Sequence, residues 1–209
     1  MKVTKRDIRG VGHLLAITLL WSPWIETMAD AWTLVGFGVV LAFLWPLLPY
    51  LKTLHKGWPD WGILSYPLAV GVALVLAKVG PVGAPFFDVG DSYHIGMARL
   101  FTLPMAVADP IHGWVGRRKL KRDGQKKSRQ GLLWSLPFLF LVQLFAQPLG
   151  EVESLDFFSI LFIFHFSLPL FLGAWTETWW KNGPDNIPIV IATWIGYSLL
   201  YLPLWLPFF

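Results

Sequence analysis

The residues able to carry acid–base or metal chemistry are few, and most of them fall in one short stretch. Asp88, Asp91 and His94 are spaced D-x2-D-x2-H, Arg99 follows, and Asp109 and His112 stand one helical turn apart. Two carboxylates and an imidazole at a helix mouth can gather a divalent metal, which makes Asp88, Asp91 and His94 a candidate metal set. Asp91 also has a plainer use: it comes directly after Gly90 at the start of an apolar run, the position of a helix N-cap. Asp109 and His112 can act as a proton relay or as the base of a site. With His13, from a separate segment, they make a catalytic candidate set, or one for a first-row metal. The plainer use of Asp109 and His112 is to solvate the end of their helix. No cofactor is specified by these spacings.

Arg99 is harder to place without a function. A charge about 10 Å inside an apolar span costs several kcal/mol unless it is partnered. His165, in "LFIFHFSLP", is expected at a similar depth and can accept a hydrogen bond from it. The alternatives are Asp88 or Asp91, reached by snorkelling, or a lipid carboxylate or phosphate.

The elements that must position these groups follow from composition. Of 209 residues, 55% are hydrophobic and 14% charged, against about a quarter charged in soluble domains. The 13 Trp and 16 Phe suit a chain whose helix ends sit at membrane interfaces. The expectation is an all-α integral membrane protein, a single transmembrane helical domain over residues 1–209. The absence of cysteine excludes disulfides, thiolate metal sites and cysteine nucleophiles.

Seven hydrophobic spans are expected, at roughly 10–26, 32–51, 61–79, 92–115, 131–149, 157–175 and 187–207. The first is short and contains Pro23, so it can tilt, thin the bilayer or turn back. Lys and Arg set the orientation. Lys2, Lys5, Arg6 and Arg9 precede the first span, and Lys52 and Lys56 follow the second. Arg117, Arg118, Lys119, Lys121, Arg122, Lys126, Lys127 and Arg129 follow the fourth. All three groups fall on one side, which is therefore cytoplasmic. The N-terminus is then inside and the C-terminus outside, in a bacterial-type plasma membrane or its equivalent. The 117–129 loop is first a topogenic stop. It can also dock anionic lipid or an acidic partner, each residue adding roughly 1 kcal/mol. No nucleic-acid-binding motif accompanies it, and no nucleic-acid partner is expected.

In this topology Arg99, Thr102, Ala106 and Asp109 share an arc of about 80°, bordered by His94 and His112. That polar arc turns to protein, its apolar opposite to lipid or a neighbouring helix. By depth His13 falls near Asp109, His112 and Glu177. Glu26 and Asp30 cap or solvate an outer turn.

The chain contains no HExxH, HxxxH, GxSxG or GxxxxGK[ST] pattern and no lysine in its last span. Three functions fit. The first is an integral subunit of a larger membrane complex, packing lipid, cofactor or neighbouring subunits through the bulky spans five to seven. The second is a membrane enzyme using His and Asp residues, with or without a metal, on a lipophilic substrate. The third is a small proton- or ion-coupled transporter, since the spans are too poor in polar groups for a wide aqueous pore.

Overall fold

Apolar runs about 20 residues long, punctuated by proline and by short polar turns, fold here as helices packed side by side. The computed structural model describes residues 19–44, 47, 61–80, 90–119, 129–146, 157–180 and 184–205. Among them are six long helices and no strand. They are α1 (Met28–Leu44), α2 (Trp61–Val79), α3 (Asp91–Lys119), α4 (Arg129–Ala146), α5 (Phe157–Trp179) and α6 (Asn186–Trp205). They lie at the places of the second to seventh expected spans. By length and composition one of them, α2, is apolar and long enough to cross a membrane, while α1 and residues 186–199 of α6 are shorter apolar helices. Helix α3 is long enough but is interrupted by Asp91, Arg99 and Asp109.

Helix α3 is the centre of the bundle and packs against each of the other five. Its Ile95, Ala98, Phe101 and Met105 join Ala31 and Val35 of α1, a stripe on α2 and Ile189, Val190 and Tyr197 of α6. The α2 stripe is Ala69, Ala73 and Ala77, spaced by four, which lets the backbones come close. On another side of α3, Leu103 and Ala108 meet Leu132 and Leu139 of α4 and Leu170 and Ala174 of α5. Helices α2 to α5 each carry internal proline: Pro67, Pro104 with Pro110, Pro137 and Pro169. Each removes a helical hydrogen bond and frees a carbonyl one turn earlier, which bends the helix.

Two ends of the bundle are defined by contacts between helix termini. At one, Ser65 and Tyr66 of α2 meet Asn186 of α6 and Asp109 of α3. At the other, the starts of α1 and α3 meet each other and the end of α2. There Asp91 Oδ2 accepts a hydrogen bond of 2.8 Å from the Met28 N–H, so Asp91 caps α1 rather than its own helix. Asp30 and Thr27 cap the same terminus reciprocally: Thr27 N–H and Oγ1 donate to Asp30 Oδ2, and Asp30 N–H donates to Thr27 Oγ1. The Thr27 hydroxyl and amide hold the Asp30 carboxyl below the usual carboxylate range. Gly80 ends α2 at φ 76°, the left-handed C-cap that glycine adopts without strain. Its carbonyl accepts the Trp194 Nε1–H at 2.9 Å, tying α6 to α2.

Candidate functional site

Three helices, α2, α3 and α5, bring ionisable side chains together at the end marked by Ser65 and Asn186. Tyr66 Oη donates to Asp109 Oδ2 at 2.9 Å. Three residues along α3, His112 Nδ1 lies 3.8 Å from Glu177 Oε1 of α5, and both side chains are buried, at 2% and 0% exposure. Asn186 donates from Nδ2 to Ser65 Oγ at 2.6 Å, and Ser65 donates to the Gly62 carbonyl. A wholly buried glutamate is rare in proteins unless paired, and here the pairing is with an imidazole in a helix-packed interior.

Local sequence explains how Glu177 comes to be inside. The sixth expected span stops near 175, where the apolar run gives way to "TETWW". Instead α5 continues to Trp179. The Thr176 and Thr178 hydroxyls donate to the carbonyls of Leu172 and Ala174, four residues back, which satisfies their polarity on the helix surface. Glu177, between them, turns inward. Packing fixes the imidazole. A Cβ placed on Gly131 of α4 would lie 2.6 Å from His112 Cδ2 and 3.0 Å from Cγ, so α4 can press its backbone on the ring only through glycine.

At the opposite end Arg99 finds a partner that charge spacing did not suggest. Its Nε donates to the Leu20 carbonyl at 2.9 Å, and Nη2 reaches the Ser22 and Ile25 carbonyls at 3.4 and 3.3 Å. The guanidinium also lies over the Trp21 ring, 5.9 Å from its centroid. Helix C-termini leave carbonyls without intrahelical donors, and Arg99 takes up those of the turn before α1. The Asp91 carboxylate, an expected partner, is engaged with Met28 instead. Thr102, on the same arc, is buried and donates to the Ala98 and Arg99 carbonyls. Replacing Arg99 by methionine keeps the stem and removes the donors. A cysteine at Ser22 should then react with a maleimide about 10-fold faster, the equivalent of losing one charge-assisted bond of roughly 1.5 kcal/mol. An unchanged rate would show that the arginine does not hold this turn.

The remaining candidates are placed as follows. His94 Nδ1 lies 3.0 Å from the Ala77 carbonyl. A carbonyl can only accept, so that nitrogen carries the proton. Asp88, and His13 of the acid–base set, lie outside the described residues, as do Lys121, Arg122, Lys126 and Lys127. Arg117, Arg118 and Lys119 end α3 and Arg129 begins α4, and His165 lies within α5; the side chains of these five are outside the description. Among the described residues no three metal-ligating side chains gather.

No family model matches this chain, and no curated protein or solved structure is detectably similar to it. Its reading therefore rests on its own residues. Asp109 and His112 were legible as a pair and Glu177 as a group at their depth, but Tyr66 was not. Tyr66 and Ser65 had one signal: they are the hydroxyl-bearing residues of a helix that is apolar up to Lys78 in its last turn. Asn186 stands just before the seventh expected span, and α6 begins at it.

Proposed function

We propose that this chain is an integral membrane protein of seven spans, N-terminus inside and C-terminus outside, acting as a small proton- or ion-coupled carrier. The observation that carries the reading is the buried Glu177–His112 contact inside a bundle whose exterior is apolar. The outward faces of the described helices carry many large apolar side chains, and several polar side chains lie within the apolar core. Ser65, Thr102, His112, Ser135, Glu177, Asn186, Thr193 and Ser198 are buried, while Phe37, Val40, Leu41, Leu68, Val75, Phe138, Leu141, Ile191 and Ile195 are exposed. A contiguous apolar surface of this kind marks a membrane or partner contact. Exposed aromatics favour the two ends. Trp24, Trp32 and Tyr93 lie at the Arg99 end, and Trp61, Trp134, Trp175, Trp179 and Trp180 at the Glu177 end, as interfacial belts do. Helix α3 ends at Lys119 and α4 begins at Arg129 on the Glu177 side, and by the positive-inside rule we read that end as the cytoplasmic one.

Ionisable residues facing the interior of a membrane bundle mark ion pathways and proton relays. An enzyme acting on a lipophilic substrate needs that substrate within hydrogen-bond reach of the acid or base. Here the backbone of α4 lies against one edge of the imidazole at Gly131, and His112 is 2% exposed. The internal prolines of α2 to α5 supply bends of the kind carriers use around a fixed site.

Cysteines at Glu26 and Gln130, both exposed, should react with an impermeant reagent from opposite sides of the membrane; reaction of both from one side contradicts the topology. For the carrier reading, the protein is reconstituted in proteoliposomes adsorbed on a solid-supported membrane. A pH or Na⁺ jump should displace charge transiently, and Glu177→Gln should abolish the signal. Absence of any displacement with either ion contradicts the carrier reading.

The second reading is a subunit of a larger membrane complex, with other membrane proteins as partners and anionic lipid at the basic loop. It is favoured by the aromatic ladder on α5. Phe171, Trp175 and Trp179 lie 5.5 and 5.8 Å apart, centroid to centroid, on an outward-facing edge that a neighbouring helix or a lipid interface could cover. Co-purification of a stoichiometric second chain in mild detergent would support it.

A further inference from the structure

We infer that α5 and α6 form one moving unit, which opens the Glu177 end of the bundle by tilting about the point where Gly173 and Thr193 seat on the Pro104 ring, with the Ser65–Asn186 bond as its latch. The inference rests on the carrier reading and names the part that moves.

The two helices are joined to each other more closely than to the rest. Among the described helices they make the most extensive contact of any pair. The contacts of α5 with α3 and α4, and of α6 with α2 and α3, are each smaller. At Gly196 the backbones themselves touch: a Cβ there would lie 2.7 Å from Pro169 Cα and 3.1 Å from Pro169 Cβ. Backbones this close move together, because sliding one past the other would first require parting them. One turn along α5, Gly173 receives the Pro104 ring of α3. A Cβ on it would lie 2.7 and 2.9 Å from two ring carbons, with the Thr193 hydroxyl of α6 at the same point. Interlocked side-chain ridges fix the angle between two helices. A ring resting on a glycine has no such ridge opposite it, so this contact permits a tilt.

The same level is where α6 is held to the rest. Trp194, next to Thr193, donates to the Gly80 carbonyl at 2.9 Å. Tyr197, one turn further, packs edge-on to Phe101 of α3, with ring centroids 5.5 Å apart, and Phe101 stands one turn before Pro104. Toward the Glu177 end the described polar joints are between side chains. Asn186, two turns before Thr193, donates to Ser65 of α2 at 2.6 Å. Glu177, one turn beyond Gly173, faces His112 at 3.8 Å. Polar pairs part at small net cost when water replaces them, whereas parting the aromatic pair exposes apolar surface. The prolines of α3 and α5 lie where a helix bends most readily. Opening at this end brings water and ions to His112 and Glu177 from one side only, as a carrier requires.

The chain has no cysteine, so labels can be placed in chosen pairs. Trp61→Cys with Pro184→Cys puts spin labels on exposed positions across the latch, and Lys78→Cys with Ile195→Cys on exposed positions at the pivot level. Pulsed electron–electron double resonance in nanodiscs reads both distances. The Trp61–Pro184 pair should show a shorter and a longer distance, and an ion jump that displaces charge should shift their shares. Adding Ser65→Ala should raise the ratio of longer to shorter about 3- to 10-fold, the effect of one hydrogen bond. The Lys78–Ile195 distance should stay the same throughout. A single Trp61–Pro184 distance under every condition, or a Lys78–Ile195 distance that changes with it, overturns the inference. The two readings fail separately. Two Trp61–Pro184 distances without charge displacement would leave a gate without a carrier. Displacement with one fixed distance would leave a carrier moved by another element.

Discussion

The His112→Ala protein should lose about 3–5 kcal/mol of stability, because it removes a buried imidazole and its contact with a buried carboxylate and leaves a cavity against α4. The two side chains face each other at 3.8 Å across the α3–α5 contact, with 2% and 0% exposure. Thermal unfolding in detergent, followed by the intrinsic tryptophan signal, reads the loss. Adding Glu177→Leu to His112→Ala should restore part of it, since the buried carboxylate is removed while the cavity left by the ring remains. Charge displacement should not return with stability. That split separates a site from a strut: a merely structural pair would recover both. If His112→Ala unfolds like wild type, the imidazole is not what holds Glu177 inside.

The Gly173→Leu protein should fail to assemble, or lose about 3 kcal/mol or more. A Cβ at Gly173 would meet the Thr193 hydroxyl, with the Pro104 ring at 2.7 and 2.9 Å. Three helices, α3, α5 and α6, therefore touch at a point where one of them has no side chain. A proline ring cannot rotate aside, so the whole of α3 would have to shift, and α3 packs on every other described helix. Gly36→Ala is the matched control. Nothing lies within 4 Å of its Cβ position, and alanine is the better helix former by up to about 1 kcal/mol. The control should fold as well as wild type or better. Equal yields and melting curves for Gly173→Leu and wild type would contradict the packing described.

The helices were legible because each is a long apolar run with polar punctuation, and α2 was read to the residue at 61–79. Boundaries moved where polar residues join a helix. Helix α3 runs on through Arg117 and Lys119, and α5 through Glu177, since basic side chains are good helix formers and threonines can bond back to their own helix. The inward arc of α3 followed from 100° per residue, and the buried Thr102 and the protein-bonded Asp109 lie on it. The partners did not follow. Tyr66 meets Asp109 across 43 residues of sequence, and the Arg99 acceptors are backbone carbonyls some 75 residues away. Carbonyls have no letter in a sequence, so a search among side chains could only offer His165, Asp88 or Asp91. Asp91 shows the same limit: a cap was expected, and the helix it caps is another one.

The most direct measurement is a proton count. Wild type and Glu177→Gln, in nanodiscs of the same lipid and in weakly buffered solution, are titrated over about pH 5 to 8, where an imidazole coupled to a carboxylate changes state. One proton more per chain taken up by wild type is the predicted result. Identical titration curves for the two proteins would contradict a working acid–base site between α3 and α5.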